Sequence, residues 1–182
     1  GDDLSYTYIA SRNGGSLSDK VATHVLRHID PNYVHYSFLK RGSDERQYCS
    51  PGVDLPVVSV MRTRYGDYPE YHSSDDNLDF ISPSGLGGGY EALYQTIKAV
   101  EFNRHYVNTI LCEPQLSRRE LTTSLGYGGD SIDEGRYILS NLLAYCDGER
   151  DLVDIAEMLD LPIWKITKQV DLLLQNGLIK PC

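Results

Sequence analysis

The chain reads as an α/β protein whose last third is helical. Three observations carry that reading. Residues 4–10 (LSYTYIA), 33–39 (YVHYSFL) and 56–62 (PVVSVMR) are short runs rich in tyrosine and β-branched residues, bounded by turn formers. Between the first two runs, Val21, Val25 and Leu26 recur at helical spacing. Beyond residue 131 the apolar residues keep that spacing almost to the end of the chain.

Taken in order, the first strand ends at the polar turn 11–15, which contains Asn13-Gly14-Gly15. Ser18 and Asp19 offer a cap for a helix over 20–29, which Asp30-Pro31 stops. The second strand, a polar loop over 40–55 and the third strand follow. Strand, helix, strand, loop, strand is the pattern of an α/β sheet, whose sites lie at strand ends. The turn-rich stretch 82–89 (SPSGLGGG) leads into a predicted helix over 90–107, with Leu93, Tyr94, Ile97 and Val100 on one face. The glycine cluster lacks the lysine and preceding strand of a phosphate loop, so it reads as a flexible lead-in. Residues 113–130, rich in Gly, Ser and Thr, read as a connection between a first domain (1–112) and a second (131–182). The second domain has predicted helices over 132–146, 151–159 and 161–175. Asn176-Gly177 ends the last one, and Leu178-Ile179 can open a strand.

Composition narrows the function classes. The 182 residues carry a net charge of −9, with 41% hydrophobic and 24% charged residues. That is an ordinary globular balance, and no apolar run approaches the roughly 20 residues of a membrane span. The negative charge disfavours DNA and anionic membranes as nonspecific partners. Cys49, Cys112, Cys146 and Cys182 show no CxxC or CxxH spacing, which fits a reducing cytoplasm better than a disulfide frame or zinc knot. Fourteen tyrosines against three phenylalanines, several of them in loops, suit a site that handles polar ligands beside apolar walls.

The densest chemistry lies in residues 68–80 (YPEYHSSDDNLDF), one histidine behind aromatics and ahead of carboxylates. A metal-ligating imidazole must be neutral, and a carboxylate often holds its second N–H. Upstream stand residues 39–48 (LKRGSDERQY), 51–56 (PGVDLP) and the strand run 57–61 (VVSVM). This succession resembles the C-terminal half of the co-catalytic zinc aminopeptidase fold. It is closer to the bacterial aminopeptidase-like proteins associated with polysaccharide biosynthesis, which carry the GSDERQYCSPG and YPEYHSSDDNLDFIS segments nearly as written here. Those relatives also end in a winged helix. Here two helices split by Leu159-Asp160-Leu161-Pro162 precede the LLLQNGLI segment, a pattern similar to a winged helix-turn-helix.

The resemblance implies a partial three-layer aminopeptidase-like sheet followed by an all-α or winged-helix C-terminal domain. It implies one or two zinc ions in a longer parent, and a glutamate general base upstream of residue 1. It places His72 and Asp2 as metal ligands, with Asp44 and Asp76 beside the site. Arg46, Gln47, Tyr48 and Tyr71 join the surrounding pocket. The substrate class would be a peptide or a related aminoacyl amide, and this chain alone would be inactive. It also opens a sheet edge to a second copy of the chain.

Plainer readings stand beside each residue. Asp44 can simply cap a turn, and Asp75, Asp76 and Asp79 can be a solvated acidic face. Arg46 can be a structural partner of Asp44 or Glu45, and Cys49 a small buried residue. His24 and His28 have metal-compatible spacing but no evident third ligand. His35 and His105 read as ordinary strand and helix residues. Residues 131–182 hold nine acidic and five basic side chains. That balance of −4 argues for a protein partner at the winged helix rather than DNA, where phosphate neutralisation dominates. The alternative to an enzyme is a non-catalytic aminopeptidase-like binding module. A winged-helix regulator with a ligand-sensing domain is the third reading.

Overall fold

The computed structural model describes residues 2, 4–119, 121 and 134–182. It divides into two units, Gly1–Glu101 and Phe102–Cys182. The expected connection over 113–130 lies outside the described residues from 122 onward and at 120.

The first unit is a mixed three-stranded sheet with helices. Strand β1 (Thr7–Ile9) lies centrally, parallel to β2 (Val34–Tyr36) and antiparallel to β3 (Ser59–Met61). Helix α1 (Leu17–Ile29) links β1 to β2. It starts earlier than the sequence pattern suggests. Ser16, not Ser18, is the cap, in a box closed by Asp19 at the third helical position. Asp19 does more than cap. Its carboxylate accepts hydrogen bonds from the Ser11 amide at 2.8 Å and the Ser11 hydroxyl at 2.6 Å, as well as from the Tyr8 hydroxyl. Burial alone would raise its pKa, but the donors on Ser11, Ser16 and Tyr8 outweigh that and hold it at about 2. The apolar cluster beneath is small: Tyr8, Ala22, Leu26 and Ala92, edged by Val58 and Val60.

A four-residue helix, α2 (Glu45–Tyr48), interrupts the loop before β3. The unit's long helix α3 (Pro83–Phe102) begins seven residues ahead of the predicted start. Ser82 explains this: its hydroxyl accepts from the Gly85 amide at 2.9 Å, with Pro83 at the first helical position. The glycines are therefore inside the helix. Its packed side consists of the small residues Gly85, Ala92 and Ala99, whereas the predicted apolar face of Leu93, Tyr94, Ile97 and Val100 is exposed. Small side chains let a helix approach its support closely, and here that contact prevails over the larger residues.

In the second unit, residues 105–108 form a strand rather than the end of a helix. β4 (His105–Asn108) is the centre of an antiparallel sheet, flanked by β5 (Asp147–Asp151) and β6 (Ile179–Pro181). Helices α4 (Glu134–Tyr145), α5 (Leu152–Met158) and α6 (Ile163–Gln175) pack through Ile138, Leu142, Leu152, Ile155, Ile166 and Leu173, all at most 2% exposed. Asp151 and Asp154 form a capping box on α5. Asn103 adds two bonds there, to Asp151 and from the Val153 amide, each at 2.9 Å. Asp160, at φ 53°, turns α5 into α6. Gly177, at φ 63°, ends α6 as its amide bonds to the Leu174 carbonyl. This is the arrangement of a winged helix-turn-helix. Among the described residues no helix is long and apolar enough to cross a membrane.

Candidate functional site

Two of the site candidates, Asp2 and Tyr71, lie beside the stretch where β3 runs into the loop carrying His72. Asp2 is 5% exposed. One of its oxygens, Oδ1, accepts from the Thr63 hydroxyl at 2.8 Å, and Thr63 in turn bonds Ser5 at 3.1 Å. The other oxygen, Oδ2, is buried without a hydrogen-bond partner among the described residues. A buried carboxylate oxygen left empty is costly, and one tied oxygen beside one free oxygen is the form of a monodentate ligand.

His72 is exposed, and its ring lies on Tyr71 at 3.9 Å between centroids. Its backbone is left-handed, at φ 60°, which few non-glycine residues adopt. Tyr71 packs edge-on against Tyr68 at 5.8 Å, and Tyr68 stacks on Phe80 at 5.3 Å. Tyr68 feels the charge of Asp2, and its ring touches Tyr71, on which His72 stacks. Burial raises the Tyr68 pKa, and the nearby carboxylates of Asp76 and Asp2 raise it further. Among the described residues, Asp2 and His72 gain no third His, Cys, Asp or Glu within ligand reach.

Next to Asp2 opens a pocket of about 340 Å³. Thr63 and Arg62 lie on one wall, Tyr65, Tyr68 and Tyr71 on the loop side, and Tyr90 on α3. Tyr71 thus lines this pocket. Arg46, Gln47 and Tyr48 do not: they are exposed on α2, where Arg46 bonds the Ser43 carbonyl at 3.2 Å. Asp44 is exposed and its side chain caps nothing. Asp76 is exposed, and its charge helps to raise the Tyr68 pKa.

The residue that sequence reasoning passes over is Glu45, 3% exposed. Its Oε1 accepts from the Gly42 amide at 2.7 Å, the Ser43 amide at 3.0 Å and the Tyr65 hydroxyl at 3.0 Å. Burial alone would raise its pKa, but those donors prevail and lower it. Glu45 therefore fixes Tyr65 on the pocket wall. Gly42 must be glycine for this, since a Cβ there would lie 2.5 Å from the Tyr65 ring. A Gly-Ser pair just ahead of a glutamate was the available signal: two adjacent N–H groups seeking an acceptor.

The family description "Domain of unknown function (DUF4910)" matches residues 1–103, more than half of the chain. The chain belongs to this family. The following residues, 104–181, match the winged helix-turn-helix family. Over 182 residues this DUF4910 chain is 36% identical to a Clostridium acetobutylicum protein named "Putative polysaccharide biosynthesis protein with aminopeptidase-like domain". The alignment covers 99% of this chain and 41% of that protein. A crystal structure of a "putative peptidase" from the same species superposes with a TM-score of 0.85 at 34% identity. That match covers 100% of this chain and 40% of the other. The DUF4910 chain thus spans about two fifths of the length of the relatives it matches.

Proposed function

We propose that this chain supplies part of the active site of an aminopeptidase-like zinc hydrolase that cleaves peptide or related aminoacyl amide bonds. The buried, unpartnered Oδ2 of Asp2 is the observation that carries the reading. We take Asp2 and His72 as donors for one zinc ion, a reading that the left-handed backbone of His72 and the tyrosine pocket beside Thr63 support. Thr63 would hold Asp2 in a single-oxygen pose. Tyr71 would fix the imidazole plane by stacking. A bound zinc supplies Lewis acidity for the scissile carbonyl and for a water molecule.

A catalytic zinc takes about three protein ligands. The third ligand and the general base must then come from outside the described residues, and this chain alone turns over no substrate. The winged helix contacts a protein rather than DNA. Lys165, one of the two lysines on α6, already pairs with Glu134 at 3.3 Å.

One observation favours the rival reading, a binding module without catalysis: among the described residues neither Asp2 nor His72 belongs to a cluster of three potential metal donors. Hydrolysis of aminoacyl 4-nitroanilides by the longest natural form, with and without added zinc, separates the two. Zinc-dependent release that is lost in His72→Ala supports the hydrolase. No release, or release indifferent to zinc, contradicts it.

A further inference from the structure

We infer that the pocket beside Thr63 is an anion-binding subsite, in which Arg62 takes the carboxylate or phosphate of a hydroxyl-bearing ring. Arg62 sits just past the end of β3. Its guanidinium lies over the Tyr6 ring, 3.9 Å from the centroid. On its other side is α3. A Cβ at Gly88 would collide with Arg62 Nη1 and stand 2.5 Å from the Tyr6 hydroxyl. A glycine inside a helix costs about 1 kcal/mol relative to alanine. Gly88 is thus explained by the space Arg62 needs, not by flexibility.

Among the described residues Arg62 is also left without a countercharge. Arg12 pairs with Asp54 at 2.5 Å, Arg64 with Asp67 at 2.9 Å, and Arg150 with Asp147. Arg62 makes no ion pair among the described residues, in a chain of net charge −9, and its buried Nε has no hydrogen-bond partner. A cation held half-buried, stacked and unpaired offers a preorganised fork to a planar or tetrahedral anion. The rest of the wall defines the body that carries the anion. Tyr65, Tyr68, Tyr71, Tyr90 and Thr63 line the pocket, side chains that combine aromatic rings with hydroxyls. That mixture suits a ring with C–H faces and hydroxyls, as in a sugar acid or a sugar phosphate. The volume is at the small end of ligand pockets, which begin near 300 Å³.

The inference rests on the hydrolase reading only in treating this wall as facing a substrate. Its test needs no metal and no turnover. Calorimetric titration of the full chain, freed of metal on a chelating resin, would use D-glucuronate, D-glucose 6-phosphate and D-glucose. At least one anion should bind about tenfold or more tighter than glucose, and the tighter of the two assigns carboxylate or phosphate. Arg62→Gln should erase that preference. Arg62→Lys, which keeps the charge but loses the fork, should weaken it several-fold. Gly88→Ala should weaken it by displacing the guanidinium. Circular dichroism checks each fold, and the two milder variants decide the matter if Arg62→Gln unfolds. Equal binding of all three sugars overturns the inference. So does no binding of either anion up to about 20 mM, or a preference that survives in the Arg62 variants. A protein without zinc or hydrolysis can still pass this test, and an active zinc enzyme can still fail it.

Discussion

The two units solve the problem of order in opposite ways. The second places large apolar side chains inside: Leu142, Ile155, Ile166 and Leu173 are at most 1% exposed. The first also buries Ile9, Val21, Val25 and Leu26, but on α3 it packs small residues and turns the large ones outward, with Leu86 at 54%, Tyr90 at 67% and Ile97 at 60% exposure. What fixes the first unit's geometry is polar: Asp19, Glu45 and Asp2, each nearly inaccessible and each tied to loop donors. The lesson is that the winged helix relies on apolar packing, whereas the site-bearing unit adds a few buried carboxylates to its apolar core.

That contrast can be broken by substitution. Leu142→Ala should cost about 2–5 kcal/mol, the range for a fully buried leucine, and denaturant unfolding followed by near-UV signals measures it. A loss below about 1 kcal/mol would mean the second unit does not depend on its core.

The carboxylate anchors make a pH prediction. Asp19 has a folded pKa of about 2, below the roughly 3.9 of an unfolded aspartate. Its stabilising contribution is therefore complete above about pH 4 and is lost as pH falls toward 2. Asp19→Asn should lower the melting temperature at pH 7 and flatten its fall between pH 4 and pH 2. An unchanged acid limb in the variant would remove Asp19 from the account.

Smaller effects sharpen the picture. Ser16→Ala removes the hydroxyl that caps α1 and bonds Asp19, and should cost on the order of 1 kcal/mol in thermal unfolding. Ile97→Gln on the exposed face of α3 should change stability by no more than about 0.5 kcal/mol. A loss near that of Leu142→Ala would show that this face is covered in solution.

Much of the fold was legible because periodicity reports burial. The three strands of the first sheet, the α5–α6 pair and the Asn176-Gly177 stop all follow from local pattern and turn chemistry. β5 was not legible: its sequence, DGERD, has no strand character, and it pairs only because β4 lies beside it. The start of α3 was hidden by four glycines that read as a lead-in, one of which makes room for Arg62. The site was legible in part. Tyr71 lines the pocket, Asp2 bonds Thr63 on its wall, and His72 stacks on Tyr71. Glu45 and Arg62 were missed because their roles depend on partners 20 or more residues away in sequence, Tyr65 and Gly88.

The central claim, that Asp2 and His72 hold zinc, is tested most directly by elemental analysis of the longest natural form beside its Asp2→Asn and His72→Ala variants. The account predicts one or two zinc ions per chain in the parent and a sharp loss in both variants, as removal of a ligand should cause. Zinc that persists undiminished in both, or a parent with none, would contradict it.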